Sequence, residues 1–390
     1  MANQLKVHGK KIRCPEGYQA YVPDPLPPPI EWQERLARHL SDADRLIGQL
    51  AMVGAGLPNP HLLIRPFVRR EAVLSSRIEG TQTSLAELFA DEAGAETSQD
   101  HSDLKEVESY VKALEYGIKR LKTLPISLRL ICEIHEHLTK GVRGNRATPG
   151  EFRRSQNWIG VAGCTLQNAT YVPPPPSMLM DCLSALEKFF HESRLPPLVT
   201  IGLIHPQFEA IHPFLDGNGR VGRLLIILYL VERGILPSPI LYLSAFFEAT
   251  RDEYYARLHA ITETGDWEGW IEYFLNGIAR QAEDAVGRIK RMQETAARWR
   301  QGFTAKSDKN CLILIDDSMT NPFMTVGGIA RKHLIAFPTA QRAIDKLEKG
   351  GILKQTNDAK RNRIYCARRL LDILDEPAKL HPAVNKKLRR

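Results

Sequence analysis

The chain has 390 residues, 43% of them hydrophobic and 25% charged, a globular composition that excludes a disordered polymer and favours two or three domains over one. Its longest apolar run, Leu224 to Val231 (LLIILYLV), is far too short for a membrane-spanning helix and reads as a buried one. The net charge of +8 is uneven: residues 321–390 hold 16 Lys and Arg against 6 Asp and Glu, leaving 37 of the 53 basic and 39 of the 45 acidic side chains to residues 1–320. A near-neutral body therefore carries a basic C-terminal end suited to a polyanion.

The N-terminus lacks the apolar core of a secretory signal, which predicts a cytoplasmic protein. Six scattered cysteines without a CxxC pair predict free thiols. Residues 1–30 read as an extended segment because VPDPLPPPI at 22–30 is proline-rich, and the ordered body is expected to start near Glu31. Apolar residues at three- and four-residue spacing predict helices over 31–52, 67–91, 103–122 and 126–141. Gly160, Gly163 and then TYVPPPP interrupt that pattern over 157–176, predicting a short hairpin closed by a polyproline stop. Helices resume at 177–193, 198–211, 218–234, 244–264 and 266–299, and the polar stretch 298–310 reads as a linker. Three short helices follow at 312–317, 326–334 and 338–349, then two strands around a turn with Lys360, Arg361 and Arg363. Three helices and a basic hairpin over 311–370 predict a winged helix-turn-helix, followed by a basic tail at 371–390. Gln341, Arg342 and Lys346 would be exposed on its recognition helix, so DNA is a candidate partner of residues 321–370.

The chemistry concentrates in His212–Arg223, HPFLDGNGRVGR. Gly217, Asn218 and Gly219 precede an apolar helix, and glycines there let backbone N–H groups approach an anion closely. The new helix points unpaired donors and its dipole at the same place. Arg220 and Arg223, three apart, share a face from which to pair with phosphate oxygens. Asp216 offers a carboxylate beside the anion, the usual holder of a hard cation such as Mg²⁺. His212 has the natural pKa of a base at neutral pH. Together these fit phosphoryl or nucleotidyl transfer. A chance match to nine specified positions has a probability on the order of one in a billion at average residue frequencies, which rules out an accidental turn.

These residues match the motif HPFxDGNGRxxR, and the chain resembles the Fic family over roughly 31–300, with GEFRRSQNWIG before the motif and LYLSAFFEATRDEYY after it also similar. The resemblance implies a mainly α fold, a helical bundle with a β-hairpin flap, divided into an N-terminal helical region (31–125) and a catalytic domain (126–300). It implies AMP transfer from ATP to a Tyr, Thr or Ser hydroxyl of a protein target docked on the flap, 157–172. By position, His212 would be the base, Asp216 the ligand of Mg²⁺ (or Mn²⁺), and Gly217, Asn218 and Gly219 the anion hole. Arg220 and Arg223 would hold the outer phosphates, with Val221 and Gly222 in the same ATP-binding segment and Phe214 a core anchor. Tyr254 and Tyr255 fall where family members contact adenine. SSRIEG resembles the family's inhibitory pattern, with Ser75, Glu79 and Gly80 on an N-terminal helix and Glu79 directed at Arg223. In some relatives the same glutamate positions a water that removes AMP, so a deAMPylating or bifunctional enzyme is an alternative. A nucleotide-sensing, DNA-binding transcription regulator is another. The family analogy also implies a homodimer.

Overall fold

The computed structural model describes residues 7–56, 61–94, 101–141, 148–161, 163–359, 361–378 and 380. The chain opens with a hairpin of β1 (Gly9–Arg13) and β2 (Gln19–Pro23), antiparallel, with Gly9 opposite Pro23 and Arg13 opposite Gln19. All of β2 but Gln19 is buried, and the Tyr21 amide donates to the Val172 carbonyl at 2.8 Å. The segment is extended, as expected, but the expectation that the ordered body starts near Glu31 is corrected. The alternation in these two strands is too brief to register as a period, and the proline run after them masks it.

Helices follow: α1 (Glu34–Ala55), α2 (His61–Ile78), α3 (Leu85–Glu92), α4 (His101–Arg120), α5 (Leu128–Thr139), α6 (Pro176–Glu192), α7 (Pro197–Ile211), α8 (Asn218–Glu232), α9 (Ser244–Ala249), α10 (Arg251–Thr264) and α11 (Trp267–Gln301). The body is mainly α, as the periodicity predicts. At its centre α7 packs on α8, and nearly every side chain of both is buried, Leu224 to Leu230 included. A helix that is apolar on all sides can only sit there. In place of a regular hairpin at 157–172, a single antiparallel bridge joins Ile159 to Tyr171.

Two expected helices are each two. The stretch 67–91 breaks at residues 79–84, where Gly80 takes a φ of +108° that favours glycine. α3 then starts at a capping box: the Ser84 hydroxyl accepts from the Glu87 amide at 3.2 Å, and the Glu87 carboxylate accepts from the Ser84 amide at 2.7 Å. The stretch 244–264 breaks at Thr250, whose hydroxyl donates to the Phe246 carbonyl at 2.7 Å, a side-chain bond that competes with the helix ladder.

A 3₁₀ turn at Lys306–Asp308 leads into α12 (Lys309–Thr320), β3 (Phe323–Thr325), α13 (Val326–His333), α14 (Phe337–Lys349), β4 (Lys354–Gln355), β5 (Ile364–Cys366) and α15 (Arg368–Asp375). The strands form an antiparallel sheet in the order β3-β5-β4. α15 corrects the expectation of a basic tail from 371: Leu370, Leu371, Ile373 and Leu374 are buried, and the helix packs on α2 and α11. Lys360 of the expected wing and residues 381–390 of the expected tail lie outside the described residues. On α14, Lys346 is paired with Asp308 at 2.7 Å and Gln341 with Asp345 at 2.7 Å. Of the three expected recognition side chains, Arg342 alone is not tied to an acidic partner. No described helix is long and apolar enough to cross a membrane.

Candidate active site

The site forms where α7 ends and α8 begins. His212 caps α7 with φ +48° and ψ +61°, a left-handed conformation uncommon outside glycine and held only where its surroundings enforce it. Buried Arg153 does much of the enforcing. Its Nε donates to the His212 carbonyl at 2.9 Å, its Nη2 to Pro174 at 2.5 Å, and its amide to the Pro213 carbonyl at 2.9 Å. Asn157 donates to the Phe214 carbonyl at 2.8 Å. Phe214 is fully buried and stacks on the His135 ring with centroids 3.7 Å apart, the core anchor expected of it. The His135 Nε2 sits 3.1 Å from the Asp216 carbonyl, and its Nδ1 accepts from the Gly150 amide at 3.0 Å.

Gly217 takes a φ of +79° and starts α8. The first amides of a helix lack ladder partners. That set ends before Val221, whose amide already donates to the Gly217 carbonyl at 3.0 Å. The amides of residues 218–220 are thus the ones that could cradle an anion. Three expected phosphate contacts are corrected. Val221 is fully buried. Gly222 faces the core, where a Cβ would overlap the Glu209 carboxylate and crowd the His205 ring. The Asn218 amide group is engaged at both ends by Phe214, accepting from its N–H at 2.8 Å and donating to its carbonyl at 2.9 Å. Asn218 therefore braces the loop with its side chain, and only its backbone amide is left for an anion.

The two motif arginines diverge instead of sharing a target. Arg223, with 2% of its side chain exposed, turns to α2: Nη2 lies 2.6 Å from Glu79 Oε1 and 3.0 Å from the Ser75 carbonyl, and Nε donates to the Ser75 hydroxyl at 2.8 Å. Arg220 turns to α4, donating to Glu106 at 3.0 Å and lying 3.8 Å from Asp216. Glu79 reaches over the α8 N-terminus so closely that a Cβ on Gly219 would overlap its Oε1. A carboxylate thus rests against the cradle where an anionic ligand would bind.

Burial raises the Glu79 carboxyl, but the Arg223 charge and hydrogen bond outweigh it and hold the group below its ordinary value. Arg223 is raised in turn: burial works against its charge, and Glu79 overcomes that. Burial lowers His212 to about 4, against smaller opposing effects from the Glu209 carbonyl and the Glu79 carboxylate. His212 is therefore neutral at pH 7. Its Nδ1 lies 3.3 Å from the Glu209 carbonyl, a contact that assigns the ring proton to Nδ1 and leaves Nε2 to accept one. Glu209 is half-buried, its Oε1 enclosed and unpartnered, and desolvation raises its carboxyl to about 8.

The Asp216 side chain is 54% exposed, and its Oδ1 accepts from the Gly217 amide at 2.6 Å. Among the described residues no group of three acidic, histidine or cysteine side chains could hold a metal. A lone exposed carboxylate beside a phosphate cradle fits Mg²⁺, which keeps several waters and takes its other ligands from phosphates. Of the expected adenine contacts, Tyr254 is buried, with its hydroxyl 2.8 Å from His205 Nε2 and its ring 4.5 Å from Phe247. It is a core residue. Tyr255 is 43% exposed, with Arg251 over its ring at 5.8 Å, and remains open to a planar ligand. On the flap, Trp158, Ile159 and Val161 are exposed.

Arg153, Asn157, His135, Glu106 and Glu209 carry the site without having been singled out in the sequence. Arg153 and Asn157 lie in the stretch GEFRRSQNWIG that resembles the family, but the carbonyls of Pro174, His212 and Phe214 that they hold are 21 or more residues away. For Glu106 and Glu209 no local spacing signals a role.

The structure thus presents a helical scaffold that holds a neutral histidine beside the unpaired amides of a helix N-terminus. Residues 37–119 match the Fic/DOC family N-terminal model and residues 125–230 the Fic/DOC family model. Among curated relatives, a probable protein adenylyltransferase of Aquifex aeolicus is 29% identical over 177 residues, covering 44% of this chain and 50% of the relative. The protein adenylyltransferase fic-1 of Caenorhabditis elegans is 26% identical over 231 residues, covering 56% and 41%. The chain thus spans half or less of the length of these relatives. A crystal structure of a Fic family protein from Desulfovibrio desulfuricans matches 88% of this chain and 98% of its own, with a TM-score of 0.58 and 17% identity. Fic-1 from Caenorhabditis elegans matches 65% and 74%, with a TM-score of 0.51 and 21% identity. These likenesses show a shared fold.

Proposed function

We propose that the chain transfers AMP from ATP to a Tyr, Thr or Ser hydroxyl of a protein, itself included, and that Glu79 holds the site shut at rest. The observation that carries this is the turn His212–Gly219, which presents a neutral imidazole and a helix-terminal cradle side by side with the Glu79 carboxylate lying across them. Relatives named protein adenylyltransferases support the chemistry.

In the transfer, the hydroxyl oxygen attacks the α-phosphorus and His212 Nε2 takes its proton. The bond from the α-phosphorus to the bridging oxygen breaks, and pyrophosphate leaves. The amides of residues 218–220 stabilise charge on the phosphate oxygens, with no reorganisation needed at the moment of reaction. Arg223, once freed of Glu79, takes the outer phosphates. Asp216 would hold Mg²⁺, or Mn²⁺ in its place, and a bound divalent ion neutralises phosphate charge. Tyr255 would stack on the base. The exposed strand at 158–161 would pair with an extended target segment, whose main chain supplies affinity with little sequence preference.

We read the protein as a cytoplasmic homodimer on the family analogy and residues 311–370 as a winged helix. With Lys346 and Gln341 tied to acidic neighbours, Arg342 and the exposed Arg361 and Arg363 remain for phosphate contact. This disfavours a sequence-reading DNA regulator as the main function.

The test is incubation of wild type, His212→Ala and Glu79→Gly with ATP labelled in the α- or the γ-phosphate. Label on protein from the α-position, absent in His212→Ala, is expected. Transfer that survives loss of His212 overturns the mechanism, and label from the γ-position changes the reaction class.

A further inference from the structure

The helices on both sides of Glu79 are pinned by the C-terminal module. Upstream, α2 carries Arg70, Ser75 and the approach to Glu79. The buried Arg70 guanidinium donates to the carbonyls of Leu374 and, at 2.8 Å, Glu376. These are the last carbonyls of α15 and the residue after it, the negative end of that helix. Arg288 of α11 grips the same terminus, donating to the carbonyls of Ile373, of Glu376 at 2.8 Å and of Pro377 at 3.1 Å. Arg288 also pairs with Asp284 at 2.7 Å, both side chains fully buried, while Arg291 binds the Glu376 carboxylate through both oxygens at 2.7 Å. Buried guanidiniums are costly unless hydrogen-bonded, and the end of α15 supplies the carbonyl partners of both Arg70 and Arg288. Downstream of Glu79, α3 is held by the same module: Asn321 donates to the Phe89 carbonyl at 2.9 Å and the Thr325 hydroxyl to the Ala93 carbonyl at 3.2 Å.

Residues 79–84 therefore hang between two helices that are both held by residues 321–376, α2 near its middle at Arg70 and α3 at Phe89 and just beyond its end at Ala93. The seam is not closed. A cleft of about 500 Å³ remains between Arg65, Glu92 and Gly94 on one side and Asn321, Gly328 and Arg331 on the other.

We infer that the C-terminal module is a regulatory clamp on Glu79: docked, it holds the α2–α3 turn so that Glu79 stays on Arg223, and its displacement releases the site. This rests on the autoinhibited transferase reading above. No contact with nucleotide is required of the module. Its two positions act on one two-state element, the Glu79 turn, which is the physical requirement for coupling between distant parts.

The test uses the whole chain with Leu374→Ala/Glu376→Ala, which removes a buried side chain of α15 and the carboxylate bound by Arg291 and so weakens the docking that presents the carbonyls to Arg70, and the milder Asn321→Ala, which removes one of the two bonds to α3. Self-labelling from α-labelled ATP is expected to rise about 2- to 30-fold over wild type, the range by which mutations away from both sites alter coupling. The same changes in a Glu79→Gly background should add nothing. Amide exchange at residues 79–84 should quicken in both variants. If Glu79→Gly is active and neither clamp variant raises labelling or exchange, the clamp is overturned while the transferase reading stands. If they raise labelling equally without Glu79, the effect does not run through the glutamate and the clamp is again overturned. If Glu79→Gly itself fails to label, the failure lies with the autoinhibited reading beneath it.

Discussion

Replacing Glu79 by glycine tests the lock most directly. The side chain makes one charge-assisted hydrogen bond to Arg223 at 2.6 Å, and bonds of that type contribute about 1.5–3 kcal/mol. Because 35% of the Glu79 side chain stays open to solvent, screening holds the figure to the low end, about 1.5–2 kcal/mol. ATP must supply that free energy before its outer phosphates reach Arg223. Its removal should speed AMP transfer at sub-saturating ATP by ~10–30-fold. Arg223 keeps its two bonds to Ser75, so the substitution frees the guanidinium without unseating it. The assay is initial-rate labelling from α-labelled ATP, paired with thermal shift in a non-hydrolysable ATP analogue. Glu79→Gly should gain more thermal stability from the analogue than wild type does, since nucleotide then binds without competition. Equal rates and equal shifts in the two proteins would refute the reasoning.

Further outcomes follow from the same geometry. Because burial lowers His212 to about 4, the rate should be flat from pH 6 to 8 and fall only as pH drops through about 4. In Glu79→Gly the acid limb should move lower still, because Glu79 raises this histidine; an inflection near 6.5 in the pH–rate profile contradicts the burial. The Glu209 carboxyl is raised to about 8, so its stabilising neutral form is fully present below the unfolded value near 4.5 and lost as pH rises through 8. Glu209→Gln should therefore match wild type near pH 5 and exceed it in denaturant stability at pH 8.5, by on the order of a few kcal/mol. Arg153→Lys removes the fork that reaches the His212 and Pro174 carbonyls together, which an ammonium cannot replace. A misplaced base should lower kcat by about 100-fold with KM for ATP little changed; a matching rise in KM would mean that Arg153 supports nucleotide binding instead.

How far the fold was legible depended on the range of the interaction that fixes each element. The central helices declared themselves because α7 and α8 bury every face, and an apolar run such as LLIILYLV has one destination. The break after Ile78 was also readable: Ser84 and Glu87 form the S-x-x-E signature of a helix start, masked by an apolar spacing that continues through it. The β1–β2 hairpin and α15 were not readable in the same way. Their buried faces exist only against residues far along the chain, Val172 for the first and Arg70 and Arg288 for the second.

The same distinction divides the site. A helix N-terminus makes an anion cradle from consecutive amides, so base, carboxylate and cradle can be contiguous and stand out as one string of twelve residues. Direction cannot be read from such a string. The spacing of Arg220 and Arg223 puts them on one helical face, yet Glu106 draws one toward α4 while Ser75 and Glu79 draw the other toward α2. Asn218, Val221 and Gly222 lie inside the motif and serve its packing, which only Phe214, His205 and Glu209 reveal. Chemistry that a single helix end can supply is local. The proposed control of that chemistry joins α2 to α8 across more than 140 residues and, through Arg70, to a helix near residue 374. A mechanism regulated in this way would be partly hidden from its sequence, because the elements proposed to shut the site are not the elements that build it.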